Sequence, residues 1–207
     1  PIWTVDVETD FGGRTDGVLG IRYGLPKILE LFKKHRVKGI FFVSTELLRE
    51  YKPEIKNILS QGHELGSHGH FHHVWKERWR AVEDREISEI LLFSLDGKTP
   101  HPYRAPKFSH ETFSEYSKRK NHVGLLKTLW TGLRLPEKPI FYLHPFDIVN
   151  WDGERAPNLF CQLWYSRPKR ALQTLKFLLT NCNYEIPSGR HSAPRPSTPD
   201  FSSVWKV

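Results

Sequence analysis

The run Ile40-Phe41-Phe42-Val43 is apolar throughout and has a stretch with helical spacing on either side. A short, unbroken apolar run that follows Gly39 suits a strand buried on both faces of a sheet. Before it, Leu25, Ile28, Leu29, Leu31, Phe32 and His35 recur at helical intervals after Pro26, a residue favoured early in helices. After it, a second helical stretch begins at Glu46, restarts at Pro53 and ends at Gly62. The same alternation continues outward. Residues 2–7 read as a strand, and Glu64-Leu65 begins a short strand-like piece. Residues 77–95 read as an amphipathic helix with Trp79, Val82, Ile87, Ile90 and Leu91 on its apolar stripe, stopped at Asp96-Gly97. A further helix is expected from Ser109 or His110, a strand at 140–143 and a late helix at 172–179. Strand and helix in alternation define an α/β fold with a mainly parallel sheet.

The chain has 207 residues, 38% hydrophobic and 26% charged, which suits one domain with a real core. We expect that domain over residues 1–186, with the proline-rich stretch from 187 to 207 as an extended C-terminal tail. No run is apolar enough to span a bilayer and no signal-peptide pattern is visible, so the expected location is cytoplasmic. The net charge of +8 biases the surface toward anionic partners, with possible peripheral membrane contact. That charge is scattered; its tightest groups are Lys118-Arg119-Lys120 and Arg167-Pro168-Lys169-Arg170, and nucleic acid is not an expected partner. Cys161 and Cys182 form no CxxC pair and are expected as free thiols.

Polar clusters follow the predicted strands. Asp6 and Glu8 close the first; two apart on an extended chain, they face the same side. Two carboxylates that close repel, and a divalent cation relieves the repulsion by binding one and leaving the other as a base. Of the eleven histidines, five fall between 63 and 73: His63, His68, His70, His72 and His73. Imidazole is the commonest metal ligand among side chains. His68 and His72 are four apart, and on one helical turn they would share a face and an ion. With Glu8 they form a two-histidine, one-carboxylate set that leaves positions open on a metal such as zinc. HExxH is absent. Arg104, in Tyr103-Arg104-Ala105-Pro106-Lys107-Phe108, can pair with Asp6 and aim it. His144 follows an apolar strand and precedes Pro145, where it can donate a proton to a leaving group.

The order and content of these pieces resemble the polysaccharide deacetylases of the NodB-homology type, carbohydrate esterase family 4. The resemblance runs from Thr4 to Pro145. Thr4-Val5-Asp6-Val7-Glu8 looks like the first motif, with Asp-x-Glu in place of adjacent aspartates. Ser67-His68-Gly69-His70-Phe71-His72 looks like the metal-ligand motif, Arg104-Ala105-Pro106 the arginine motif and Leu143-His144-Pro145 the histidine motif. The block with a tryptophan-lined wall and an aspartate is not recognisable in residues 110–135. A narrower similarity, in Asp6-Val7-Glu8-Thr9, Gly12, Arg14, the histidine run and Trp75, points to the branch that deformylates a formamido-arabinose on undecaprenyl phosphate.

The resemblance implies a distorted (β/α) barrel of about seven strands. It implies Zn2+, or another divalent ion such as Co2+, on Glu8, His68 and His72, with Asp6 as general base. His144 would be the general acid and Arg104 the partner of Asp6. Arg14 and Phe108 would contact substrate, a backbone N–H near Phe108 helping to hold the oxyanion. The implied substrate is a carbohydrate, polymeric or lipid-linked and anionic, de-N-acylated by hydrolysis. The competing expectations are a catalytically silent carbohydrate-binding relative and a cyclic-amide hydrolase of the same superfamily.

Overall fold

The structure is a computed structural model, and it describes residues 1–109, 121–131, 136, 139–151 and 156–182. Five strands form one sheet in the order β3-β2-β1-β5-β4: β1 (Ile2–Val7), β2 (Ile40–Val43), β3 (Glu64–Ser67), β4 (His122–Gly124) and β5 (Ile140–Leu143). Every pairing is parallel. Beyond β3, Tyr103 bridges Ser67 in parallel, so the extended segment carrying Arg104 continues the sheet on that edge. Parallel strands covered on both faces need apolar residues throughout, and β2 is buried at all four positions. Five strands are present among the described residues, where the sequence reading expects about seven.

The sheet curls. The Arg104 backbone N–H donates to the Ser67 carbonyl at one edge, while its guanidinium reaches His122 Nε2 on β4, at the other edge, at 3.3 Å. The two edges thus meet across one side chain.

Helices α2 (Leu25–Lys34), α3 (Leu48–Ser60) and α7 (Pro168–Asn181) cover the sheet. α2 buries Leu25, Ile28, Leu29, Leu31 and Phe32, the predicted face. α3 follows a 3-10 turn at Thr45–Leu47 and kinks at Tyr51, two residues before Pro53, as the proline predicts. α7 extends the expected late helix at both ends. The turn α1 (Asp10–Gly13), with positive φ at Phe11, Gly12 and Gly13, and the short helices α5 (Leu125–Thr131) and α6 (Leu159–Trp164) were not expected. The helix expected from Ser109 or His110 and the tail at 187–207 lie outside the described residues.

Helix α4 (Arg78–Asp96) has the predicted bounds but the opposite orientation. Trp79, Val82, Ile87 and Ile90 are exposed, while Ala81, Asp84, Ser88 and Leu92 are buried. The inward face is chosen by polar work. Asp84 accepts from the His70 and Phe71 backbone N–H groups at 2.9 and 3.0 Å, Ser88 takes the Ser67 hydroxyl at 2.8 Å, and Glu89 accepts from the His101 N–H at 2.9 Å. Without these acceptors the backbone donors of the histidine loop and of His101 would lose their partners.

Candidate metal centre

The carboxyl ends of the strands converge on a cavity of about 230 Å³. All eight residues singled out in the sequence line it: Asp6, Glu8, Arg14, His68, His72, Arg104, Phe108 and His144. β1 delivers Asp6 and, just past its end, Glu8; both are buried. His68 follows β3 directly. His72 is reached by a tight turn, not by a helix as the i,i+4 spacing suggested. Gly69 at φ +85° breaks any helical course, and the two hydrogen bonds to Asp84 hold the turn.

Glu8 Oε2 lies 3.1 Å from His68 Nε2 and 2.5 Å from His72 Nε2, and among the described residues these three form the group able to hold a metal ion. His68 Nδ1 sits 2.7 Å from the Arg104 carbonyl. A carbonyl only accepts, so Nδ1 donates to it, which leaves Nε2 as the nitrogen turned toward Glu8 and available to a metal. Burial alone would raise the Glu8 carboxyl, but His72, His68 and His144 outweigh it and hold the group well below the usual carboxylate range. A buried carboxylate with two imidazole nitrogens at 3.1 and 2.5 Å is an arrangement that a cation can complete. The donor set therefore fits a divalent metal, with two nitrogens and an oxygen suited to zinc.

Asp6 and Arg104 form the second part of the site. Arg104 is fully buried and its Nη1 donates to Asp6 Oδ1 at 2.5 Å. Its Nη2 donates to the Thr4 hydroxyl at 2.9 Å, and the guanidinium carbon lies 4.3 Å from the Phe42 ring centroid. A buried cation is tolerable only with such partners. Phe108 presents its ring to the cavity, while its backbone N–H donates to the Ala105 carbonyl at 3.1 Å, within the turn. Lys107 and Phe108 both have φ of +54°, so this turn, like the one at Phe11 (φ +59°), carries backbone strain beside the cavity.

His144 Nε2 stands 3.5 Å from Glu8 and 3.9 Å from Asp6. Asp147 was not anticipated. It accepts from the His144 backbone N–H at 2.9 Å, and its other oxygen lies 3.4 Å from His144 Nδ1. The signal was present in the His-Pro-Phe-Asp spacing, which forms a capping box on one 3-10 turn. Burial pulls His144 down, but Asp147, Glu8 and Asp6 push it up to about 10. A folded-state value above the unfolded 6.5 stabilises the fold fully below pH 6.5, and that contribution fades as the pH rises toward 10. Chelator-treated protein is therefore expected to lose stability across that window. Thermal melts against pH check this, and an Asp147→Asn variant that lost stability over the same range as the parent would contradict it.

The remaining histidines of the run are supporting residues. His63 is buried, accepts the Gly39 N–H at 3.2 Å and is lowered to about 4 by burial and Lys38. His70 pairs with the Thr45 hydroxyl at 3.0 Å, and His73 packs edge-on against Trp75. Tyr142, Phe160, Trp164 and Tyr165 complete the cavity. The last three come from α6 and the residue after it, which no motif marked.

Fold and site together define a parallel α/β protein with a candidate metal-ligand cavity at its strand ends. The polysaccharide deacetylase family matches residues 16–122, a little over half of the chain, and the chain belongs to that family. Asp6, Glu8 and His144 lie outside the matched stretch. Over 110 residues the chain is 30% identical to a peptidoglycan-N-acetylmuramic acid deacetylase of Bacillus subtilis, covering 51% of this chain and 41% of that protein. The chain thus spans less than half the length of this curated relative. A polysaccharide deacetylase from Bacillus cereus shares the fold, with TM-score 0.56 and 16% identity over 94% of this chain and 95% of that one. So does a carbohydrate esterase family 4 pseudoenzyme from Bacillus anthracis, with TM-score 0.54 and 16% identity over 88% of this chain and 62% of that one. No helix among the described residues is long and apolar enough to cross a membrane.

Proposed function

We propose that this protein removes an N-acyl group from an amino sugar of a glycan by metal-dependent hydrolysis. The observation that carries the reading is the meeting of the Glu8–His68–His72 donor set with Asp6 and His144 in one cavity. The named activities of the curated relatives support it. Glu8, His68 and His72 would hold a divalent ion such as zinc or cobalt, which would supply Lewis acidity toward the amide carbonyl and the attacking water. Asp6 takes the proton of the attacking water as general base, aimed by Arg104 and uninvolved in holding the metal. His144 hands the proton on Nε2 to the departing amine. Amide hydrolysis needs both steps, because an amine anion is a very poor leaving group. Arg14 and Phe108 face the substrate. The distorted barrel of about seven strands belongs to the same reading.

The test is a screen of N-acetylated oligosaccharides and formamido sugars, polymeric and lipid-linked, with zinc or cobalt restored after chelation. Release of acetate or formate that depends on the metal is the expected result, and it resolves acyl group and carrier together. The second reading is a silent carbohydrate-binding relative, favoured by the pseudoenzyme that shares the fold. Absence of any bound divalent ion, with no rescue by added metal, decides for it.

Two consequences are measurable on the metal itself. Zinc at a hundredfold excess over its dissociation constant is expected to stabilise chelated protein by about 2.7 kcal/mol, read from urea unfolding. An unchanged midpoint counts against the site. Gly13, at φ +66°, leaves no room for a side chain: a Cβ there would stand 2.0 Å from His72 Nδ1. Gly13→Ala must swing the His72 ring away from Glu8, and metal affinity is expected to fall roughly 10–100-fold, as when groups that orient ligands are altered. Competition with a chromophoric chelator measures it, and wild-type affinity in the variant would show that His72 is not a ligand.

A further inference from the structure

We propose that the Tyr165 hydroxyl is a catalytic hydrogen-bond donor, placed to hold the acyl oxygen as that oxygen takes up negative charge when water adds to the amide. This inference rests on the reading of the site as a glycan N-deacylase.

Tyr165 directly follows α6, and its backbone and ring are both held. Its N–H donates to the Cys161 carbonyl at 3.0 Å, and its carbonyl accepts from Trp151 Nε1 at 3.1 Å. The ring meets Phe11, in the turn after Glu8, and Phe146, in the turn after His144, edge-on at 5.4 and 5.3 Å. The residue is 5% exposed, yet it lines the cavity. Its hydroxyl stands beside Gly12. A Cβ added to Gly12 would lie 3.4 Å from the Tyr165 oxygen, 3.5 Å from Glu8 Oε1 and 3.3 Å from Arg14 Nη1. The phenol thus opens next to the carboxylate of the metal-donor set, with a guanidinium close by.

Among the described residues no hydrogen bond engages this hydroxyl. A buried phenol ordinarily has a partner. Burial, reinforced by Asp147 and Glu8 against the pull of Arg14, pushes the hydroxyl well above its usual range. It therefore keeps its proton at neutral pH, and the partner it lacks is an acceptor. On the deacylase reading, the substrate atom drawn to the donor set is the acyl oxygen. The backbone donor expected for that oxygen, the Phe108 N–H, is spent on the Ala105 carbonyl. As the water oxygen bonds to the acyl carbon, the C=O π pair moves onto the acyl oxygen and Asp6 takes the water proton. Tyr165 donates to that oxygen and keeps its own proton. On collapse the pair returns to form C=O, the C–N bond breaks and the amine leaves with the proton of His144. A donor fixed in advance gains strength as the charge grows, so it favours the transition state over the substrate.

The experiment compares zinc-loaded wild type with Tyr165→Phe on the β-1,4-linked tetramer of N-acetylglucosamine. Phenylalanine keeps the ring and its packing, and the hydroxyl has no protein partner to lose, so zinc content and melting temperature are expected to match. The kcat is expected to fall about a hundredfold, the lower end for losing one such donor, with KM within about twofold of wild type. A raised KM with unchanged kcat assigns the hydroxyl to binding the ground state and overturns the proposal. Wild-type kcat and KM overturn it as well, and both outcomes leave the deacylase reading standing. A second readout needs no turnover: acetate binding to the zinc-loaded proteins by titration calorimetry, expected to be about tenfold weaker in Tyr165→Phe for loss of a hydrogen bond to a charged oxygen. Wild type that binds acetate in this Tyr165-dependent way and cleaves nothing keeps the donor and overturns the deacylase reading. Equal acetate affinity in the two proteins, with no turnover in either, overturns both.

Discussion

Asp6→Asn is expected to lower kcat about a thousandfold while the protein binds as much zinc as the wild type. The size follows from the roughly 10²–10⁴-fold that a positioned general base contributes. Asparagine keeps the shape of aspartate and can still accept from Arg104, so the fold persists, but an amide does not take the proton of an attacking water. The metal count should not change, because Asp6 stands outside the group able to hold an ion, Glu8, His68 and His72. Geometry separates the two carboxylates in this way: Asp6 Oδ1 is engaged by Arg104 at 2.5 Å, whereas Glu8 Oε2 is engaged by both histidines. Turnover and metal content measured on the same preparations check it. Wild-type turnover in Asp6→Asn removes Asp6 from the mechanism, and loss of metal with activity places it among the ligands instead.

Arg104→Met is expected to cost about 3–5 kcal/mol of stability, the range for breaking a buried ion pair by removing one partner. The guanidinium is fully buried, and its loss strands Asp6, also buried, without its cation. It also removes the hydrogen bond to Thr4 and the stack on Phe42, and it parts the two edges of the sheet that meet across this side chain. Against a typical stability of roughly 5–15 kcal/mol this is a large share. Pairing the change with Asp6→Asn should recover part of the loss, because the stranded charge goes too; a double-mutant cycle from urea unfolding isolates that coupling. Single-variant stability within about 1 kcal/mol of wild type would show that the pair is not what supports the sheet at this point. Lysine is not an adequate replacement, since its ammonium does not reproduce the fork that engages Asp6 and Thr4 together.

The parts of this protein that were legible in the sequence are contiguous. Ile40–Val43 and residues 2–7 read as strands because a parallel sheet covered on both faces demands unbroken apolar runs. The inward face of α2 was legible because only apolar contacts choose it. On α4 the same reasoning selected the wrong face, because the helix turns Asp84 and Glu89 to the histidine loop and His101 and leaves Trp79 and Ile90 in water. The pairing of His68 with His72 was foreseen through the wrong geometry. A turn held by Asp84, fourteen residues or less along the chain, does what a helical turn would have done.

By itself the sequence determined the chemistry at the strand ends: which side chains carry carboxylate, imidazole and guanidinium, and that strand periodicity turns Asp6 and Glu8 to one side. These are properties of short stretches, set by residue type and local backbone. Only the tertiary structure decided how those groups share one cavity and what forms its far wall. Arg104 meets Asp6 across 98 residues, and His68 meets Glu8 across 60. Phe160, Trp164 and Tyr165 reach the cavity from a helix that no motif announced. Contacts of that kind depend on how a curled sheet closes and which helix faces its rim, and local periodicity records neither.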